Sequence, residues 1–251
     1  MEPTRPEVCW WCGAPATTRE HRYKRTELQR MADISESGAP DPRSLYRSGD
    51  SYTGTLNGIK TGSAVQWGKN LCAPCNGARS QPFDYAYEKW SRWMWEHQDD
   101  LAAAQAVVDL QDVYGSDWSV EHAYTQRYLA KQLGCMLATN YCEVPEPITT
   151  FLDSPLVVAQ LGAPQATFFR DRARLDLHTR GREEGVDYRG YWIPEAPFWT
   201  TGSQVVAAQY QYFIGFVCCD IRWPPTRPAA PPPRLLNLPL TGAPLRLQRA
   251  E

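Results

Sequence analysis

The 251-residue sequence predicts an α+β protein, and three features of the chain support this fold class. Two Cys-x-x-Cys pairs enclose part of the first third. Stretches rich in Ala, Leu and Gln follow in the middle, and aromatic and β-branched stretches dominate from about position 156. These features predict an N-terminal module over 1–98, a helical segment over 99–153, a β-rich domain over 154–223 and a Pro-rich tail over 224–251.

The composition limits the classes of function that the chain can serve. Its formal net charge is −2, so a globally basic nucleic-acid binder is not indicated, and any phosphate-binding surface must be local. Ten Trp and thirteen Tyr favour a folded core. The first residues lack the apolar core of a signal peptide, and the longest apolar run, near 213–219, is too short to cross a bilayer. We therefore expect a soluble cytoplasmic protein without a membrane partner.

In the N-terminal module the sequence predicts short elements around a loop. A helix is expected to begin within 22–32, and the Gly-, Ser-, Asp- and Pro-rich stretch 35–62 is typical of a long loop or a small hairpin. A short strand is expected at 64–67. A helix should follow position 76, with Ser80 or Asp84 as its N-cap. Its aromatic residues recur at helical spacing, and we interpret that face as core.

The middle and the C-terminal half carry simpler patterns. Helices are expected over 99–114 and 119–138, separated by Gly115 and Ser116. The stretch 166–178 alternates like a strand, with Arg170, Arg172 and Arg174 on one face; an ordinary polar face is a more natural interpretation than a nucleic-acid contact. Strands are expected over 188–199 and 204–223. The tail from Pro224 lacks periodicity, which predicts an extended or disordered segment.

The cysteine spacing predicts a structural metal site. Cys9-x-x-Cys12 and Cys72-x-x-Cys75 each present two thiolates from one tight turn. Four thiolates satisfy tetrahedral zinc without leaving an open position, which marks a structural site rather than a catalytic one. Zinc in a reducing compartment accounts for the cysteines better than a disulfide scaffold does. Unrelated buried thiols or a redox pair remain the alternatives.

Polar residues at fixed positions beside these cysteines carry a family resemblance. Glu20 and His21 follow the first cysteine pair, and Asn76 follows the second directly. The stretches 18–21 and 71–84 resemble the zinc-stapled branch of the HNH endonucleases, also called ββα-metal or His-Me finger nucleases. The resemblance covers about the first 95 residues. It implies a ββα-metal module in which His21 activates water, while Glu20 and Asn76 bind catalytic Mg²⁺ or another divalent cation.

One departure from the family motif concerns the residue that helps to orient the catalytic histidine. Members commonly carry an asparagine about nine positions before the final one, and this chain has Trp67 there. Asn70 is one candidate for this role, if the turn is shortened, and a backbone carbonyl is the other. The alternative interpretation is that Glu20 and His21 form a surface ion pair beside a purely structural zinc.

Basic residues near the motif predict the partner. Five of them are expected to contact phosphates without reading sequence: Arg19, Arg22, Lys24, Arg25 and Arg79. The expected function is metal-dependent nicking or double-strand cleavage of DNA, by a protein of phage, mobile-element or defence origin. The alternatives are a catalytically weak zinc-stabilised DNA- or protein-binding module and an RNA-cleaving toxin-type nuclease. The C-terminal half is a possible site for a protein partner.

Overall fold

The computed structural model describes residues 8–33, 46–47, 54–55, 64–154, 162–194, 196–202, 204–225 and 233–243. Across these ranges the chain is mixed α and β, as the sequence predicts, with helices and sheets distributed along its whole length. No helix in the described ranges combines the length and the apolar character needed to cross a bilayer.

The N-terminal part is built on a two-stranded antiparallel hairpin of β1 (Thr18–His21) and β4 (Gln66–Leu71). Helix α1 (Arg25–Asp33) follows β1, as predicted. Within the predicted loop or hairpin at 35–62, β2 (Tyr46–Arg47) and β3 (Gly54–Thr55) pair antiparallel, and the rest of that segment lies outside the described residues. The strand expected at 64–67 begins two residues later and runs to Leu71.

Two helices follow the hairpin. Helix α2 (Ala73–Asn76) is a single turn, and α3 (Gln81–Glu96) begins after Ser80, which occupies the predicted N-cap position without a side-chain capping bond. The aromatic face of α3 is core, as expected, because Tyr87 and Trp90 are fully buried. Tyr87 stacks on Tyr128 with the ring centroids 3.9 Å apart.

The single helix expected over 99–114 is wrong. The segment divides into α4 (Gln98–Leu101), β5 (Val107–Asp109) and α5 (Leu110–Tyr114). The β-branched residues of β5 pair antiparallel with β11 (Leu235–Asn237), which comes from the tail. A strand partner so distant in sequence overrides the local helical propensity.

Helix α6 (Trp118–Thr139) confirms the prediction for 119–138 and is the central element of the fold. It is buried on nearly all sides between His122 and Ala138, since it packs on α3, β4, β9 and α7 (Glu146–Asp153). A helix buried all round belongs to the core. The polar side chains of Lys131 and Gln132 are therefore enclosed within the protein.

The strand expected over 166–178 is wrong in its second half. Strand β6 (Gln165–Asp171) ends where α8 (Arg172–Glu184) begins, and the Asp171 side chain caps the helix by accepting a hydrogen bond of 3.0 Å from the Arg174 amide. The arginine stripe therefore does not exist. Arg170 is buried and donates hydrogen bonds to main-chain carbonyls, whereas Arg172 and Arg174 lie on the helix.

The C-terminal half forms a mixed sheet, in which every strand pairs antiparallel except β12 (Leu240–Thr241). The predicted strand regions contain β7 (Tyr191–Trp192), β8 (Phe198–Thr201), β9 (Gln204–Ile214) and β10 (Val217–Trp223). The strand order is β12-β6-β10-β9-β7, with β8 also paired to β9. Strand β12 (Leu240–Thr241) pairs parallel with β6. The tail, expected to be extended or disordered, is extended at 235–237 and 240–241, where two strands pair with earlier elements.

Glu27 links the N-terminal helix to the rest of the molecule. Its fully buried carboxylate accepts hydrogen bonds from Tyr87 Oη at 2.8 Å and Ser91 Oγ at 2.7 Å, both on α3, and from Tyr212 on β9. One core of buried residues extends from Cys9 to Leu238. The domain boundaries proposed from sequence stay a prediction.

Candidate metal centre and nucleic-acid interface

The four motif cysteines converge on one point. Their sulfur atoms all lie within 4.8 Å of one another, and Cys12 Sγ and Cys72 Sγ are 3.5 Å apart. A tetrahedron with Zn–S bonds of about 2.3 Å has edges of about 3.8 Å, so the cluster has the size that zinc requires. The four cysteines can hold a metal ion such as zinc.

Main-chain hydrogen bonds build the first of the two turns. The Gly13 amide donates to the Cys9 carbonyl at 2.8 Å, and Gly13 has a φ of +76°, which favours glycine. The Trp10 amide donates to the Asn70 carbonyl at 3.2 Å. This bond places the first turn beside the end of β4, directly before Cys72. Strand pairing therefore brings the two cysteine pairs together.

The thiols differ in their tendency to ionise. A hydrogen bond with the Ala14 main chain lowers the pKa of the exposed Cys12 thiol to about 7, whereas burial raises the pKa of Cys9 and Cys75. Arg79 Nη1 donates to Cys75 Sγ at 3.4 Å and so favours the thiolate form of Cys75. Zinc binding has to displace the remaining thiol protons.

The Glu20 side chain is buried on the side of the hairpin that faces α6. Gln132 Nε2 donates to Glu20 Oε1 at 3.2 Å, and Lys131 Nζ lies 3.2 Å from Glu20 Oε2. Burial would lower the pKa of Lys131, but the charges of Glu20 and Asp84 raise it above its usual value, so the ammonium stays charged. Both carboxylate oxygens of Glu20 are thus engaged by α6.

His21 lies at the end of β1 and is half-buried. Its cross-strand partner is Gln66, whose Nε2 is 3.5 Å from His21 Nε2. Asn76 reaches the same strand, since its Nδ2 donates to the Arg19 carbonyl at 3.2 Å. The Oδ1 of Asn76 is buried and has no hydrogen-bond partner among the described residues. The structure therefore brings Asn76 to the strand that carries Glu20 and His21.

The divalent-metal site that the resemblance implies does not fit these residues as they stand. Mg²⁺ is bound through carboxylate and other oxygens at about 2.0–2.1 Å and keeps several waters. Both oxygens of Glu20 are already engaged and the residue is only 6% exposed. Of the two implied metal ligands, this leaves only Asn76 Oδ1 without a hydrogen-bond partner among the described residues. A metal at Glu20 therefore has no part in the chemistry proposed below.

Asn70 and Trp67 both face α6. Asn70 Nδ2 donates to the Cys135 carbonyl at 3.0 Å and to Thr139 Oγ1 at 3.1 Å, so its amide fastens β4 to the central helix. Trp67 Nε1 donates to Gln132 Oε1 at 2.6 Å. Trp67 thus holds the glutamine that donates a hydrogen bond to Glu20.

Comparisons with protein-family models, with curated proteins and with solved structures return no match to this chain.

The five predicted basic contacts divide into two groups. Arg22, Lys24 and Arg79 are engaged within the protein: Arg22 lies 4.0 Å from the Trp67 ring, and Lys24 and Arg79 form ion pairs with Asp84 and Asp153. Arg19 and Arg25 are exposed.

Lys69 is an exposed basic residue that sequence reasoning missed. It lies directly opposite Arg19 in the register of β1 and β4. The pairing register was the information needed to find it, because Lys69 is distant from Arg19 in sequence. Arg19 and Lys69 define the outer face of the hairpin, and the half-buried pair of His21 and Gln66 follows beyond a shift in the register.

Proposed function

We propose that this chain is a zinc-stapled module of the HNH type that binds nucleic acid through the outer face of its β1–β4 hairpin. The observation that carries the proposal is the pairing of Arg19 with Lys69 on that exposed face. Like charges directly opposite each other destabilise a strand pair, and a phosphate group between them offsets the repulsion.

The charges around this face support the proposal. Among the described residues, no carboxylate forms an ion pair with Arg19 or Lys69, although most other arginines and lysines of the N-terminal part are paired. Glu20, the acid nearest to Arg19 in sequence, is turned into the core and neutralised there by Lys131. The hairpin thus presents cations outward and keeps its carboxylate inside, which suits contact with a polyanion.

The test uses fluorescence anisotropy with labelled duplex DNA, single-stranded DNA and structured RNA at several salt concentrations. The double variant Arg19→Ala/Lys69→Ala should bind at least tenfold more weakly, and its salt slope should fall by about two, one unit for each phosphate that is no longer neutralised. The matched control is Arg172→Ala/Arg180→Ala, which removes the same charge from exposed positions on α8. Equal affinity of wild type and hairpin variant would contradict the proposal.

A second candidate function is cleavage of the bound strand. The specific observation in its favour is His21, which lies on the same strand as Arg19, beyond the buried Glu20. A neutral imidazole near a bound phosphate can accept a proton from water. Of the three residues that the resemblance implies, Glu20 is buried and Asn76 donates to the Arg19 main chain. His21 is half-buried and lies two residues from Arg19.

Incubation of plasmid DNA and structured RNA with Mg²⁺ separates the two candidates. Nicked or linear products from the wild type, and none from His21→Ala at equal affinity, would establish the nuclease. Products from RNA alone would favour a ribonuclease. Tight binding without products from either protein supports the binding module.

A further inference from the structure

The ammonium of Lys131 lies in a cage of oxygen atoms. It is fully buried, and its Nζ is 3.2 Å from Glu20 Oε2, 3.2 Å from Ser80 Oγ, and 3.3 and 3.4 Å from the two carboxylate oxygens of Asp84. The cage is assembled from β1, the residue before α3 and the first turn of α3, while the cation comes from α6. Two elements that do not adjoin in sequence, β1 and α3, are thus held around a positive charge that a third, α6, supplies.

The charges of this cage balance without a metal ion. Glu20 and Asp84 supply two negative charges, Lys131 supplies one positive charge, and Lys24 supplies a second through its ion pair with Asp84. The distances of 3.2–3.4 Å suit an ammonium group, whereas Mg²⁺ requires oxygens at about 2.0–2.1 Å. A divalent cation placed here would have to displace the lysine.

The second oxygen of Glu20 is closed off by a separate chain of contacts. Trp67 fixes Gln132, and Gln132 in turn donates to Glu20 Oε1. Trp67 occupies the position at which the family commonly carries asparagine. The tryptophan at position 67 and the engagement of both Glu20 oxygens therefore belong to one arrangement. In it, Gln132 and Lys131 of α6 each hold one oxygen of the carboxylate.

We propose that the Lys131 ammonium takes, in this chain, the place of the divalent cation that the HNH resemblance assigns to Glu20. The outer face of the hairpin is then a phosphate-binding surface whose shape is maintained by an internal cation, and its use of nucleic acid needs no metal at Glu20. This inference rests on the HNH-type module proposed above.

The test uses the full, zinc-loaded chain and Mn²⁺, whose binding is counted by electron paramagnetic resonance. The wild type should bind no Mn²⁺ at Glu20, so the Glu20→Gln substitution should leave the number of bound Mn²⁺ ions unchanged. Millimolar Mn²⁺ should leave the Tm of the wild type unchanged. Lys131→Met, which keeps the length of the side chain and removes its charge, should lower the Tm by about 10 °C. It should also bind about one Mn²⁺ per chain and regain most of the lost Tm.

Two further variants make the result specific. Lys24→Met removes the cation that pairs with Asp84 but not with Glu20, and it should gain no Mn²⁺ site. Glu20→Gln/Lys131→Met should lose the site that Lys131→Met creates. A Mn²⁺ site in the wild type that disappears in Glu20→Gln would overturn the proposal, as would a folded Lys131→Met protein that binds no Mn²⁺.

If Lys131→Met does not fold, the wild type and Glu20→Gln decide the question, since equal Mn²⁺ binding by both supports the internal cation. Nucleic-acid binding is measured on the same samples. A wild type that binds neither Mn²⁺ at Glu20 nor nucleic acid refutes the proposed function and leaves the role of Lys131 standing.

Discussion

The Trp10 ring lies against the backbone of Gly134, so close that a Cβ added to Gly134 would be 2.4–2.8 Å from three ring carbons. Trp10 lies between the first two cysteines of the candidate metal centre, and Gly134 lies in the middle of α6. This contact seats the metal centre on the central helix, and it explains a glycine inside a long buried helix.

Gly134→Ala should therefore destabilise the protein although alanine favours helices. The methyl group forces Trp10 away, and overpacking of this kind costs about 1–3 kcal/mol. Urea denaturation of the zinc-loaded protein gives the loss of unfolding free energy. Gly190→Ala is the control, since a Cβ there meets nothing within 4 Å and stability should be unchanged. Equal stability of the two variants would contradict the seating role of Gly134.

Elemental analysis should find about one zinc per chain, as four converging thiolates predict. Cys72→Ser should lose the metal, and with it the cooperative thermal transition of the N-terminal hairpin. Cys142→Ser removes a half-buried thiol away from the cluster and should retain zinc. Zinc-free wild type purified without chelators would rule out the metal centre.

Stability should fall as the pH falls from about 6.5 toward 4, in part through His122. Its ring is buried among Trp90, Tyr114 and Phe168, and burial lowers its pKa from 6.5 to about 4. Between pH 6.5 and pH 4 the unfolded chain binds a proton at His122 that the folded chain does not bind. The stability that depends on the neutral His122 ring is therefore fully present above pH 6.5 and is lost as the pH falls toward 4.

The full loss from His122 is about 3 kcal/mol, since each unit of pKa difference corresponds to about 1.4 kcal/mol. His122→Phe keeps a ring without a titrating group and should remove this part of the pH dependence. The measurement is the unfolding free energy in urea at pH 7.5 and pH 4.5 for both proteins. An identical pH dependence of wild type and variant would show that His122 does not titrate in this way.

Trp67→Phe should destabilise the protein by about 1–3 kcal/mol, because it leaves the buried Gln132 Oε1 without its donor. The matched control is Trp223→Phe, since Trp223 Nε1 is buried without a partner among the described residues and its loss removes no hydrogen bond. Chemical denaturation compares the two variants. A larger loss of stability in Trp223→Phe than in Trp67→Phe would contradict the role given to the Trp67 indole.

The sequence was sufficient to predict an element where the residues of that element alone indicated its structure. The cysteine spacing predicted the cluster, the aromatic residues at helical spacing after position 76 predicted α3, and the Ala-, Leu- and Gln-rich stretch 119–138 predicted α6. The pattern misled at 166–178, where alternating arginines resembled a strand face. Asp171, a side chain suited to an N-cap, was the local signal for the change to helix.

The candidate site was harder to foresee because its decisive contacts are not local. Glu20 was assigned from its position beside His21, and nothing near it in sequence indicates Lys131 or Gln132. Those residues lie on a helix whose pattern only shows that it is buried. Lys69 was missed for the same reason, since the register of two strands, rather than sequence proximity, sets it opposite Arg19.

The ion pair between Glu20 and Lys131 also constrains how the sequence can diverge. Loss of Lys131 would leave Glu20 as a buried charge without its ion-pair partner, a defect that costs about 3–5 kcal/mol, whereas loss of Glu20 would leave Lys131 paired with Asp84 alone. Positions 20 and 131 should therefore change together among descendants of this protein, as should positions 67 and 132. A lineage that kept Glu20, lost the lysine and acquired an amide at position 67 would open the cage to a metal ion.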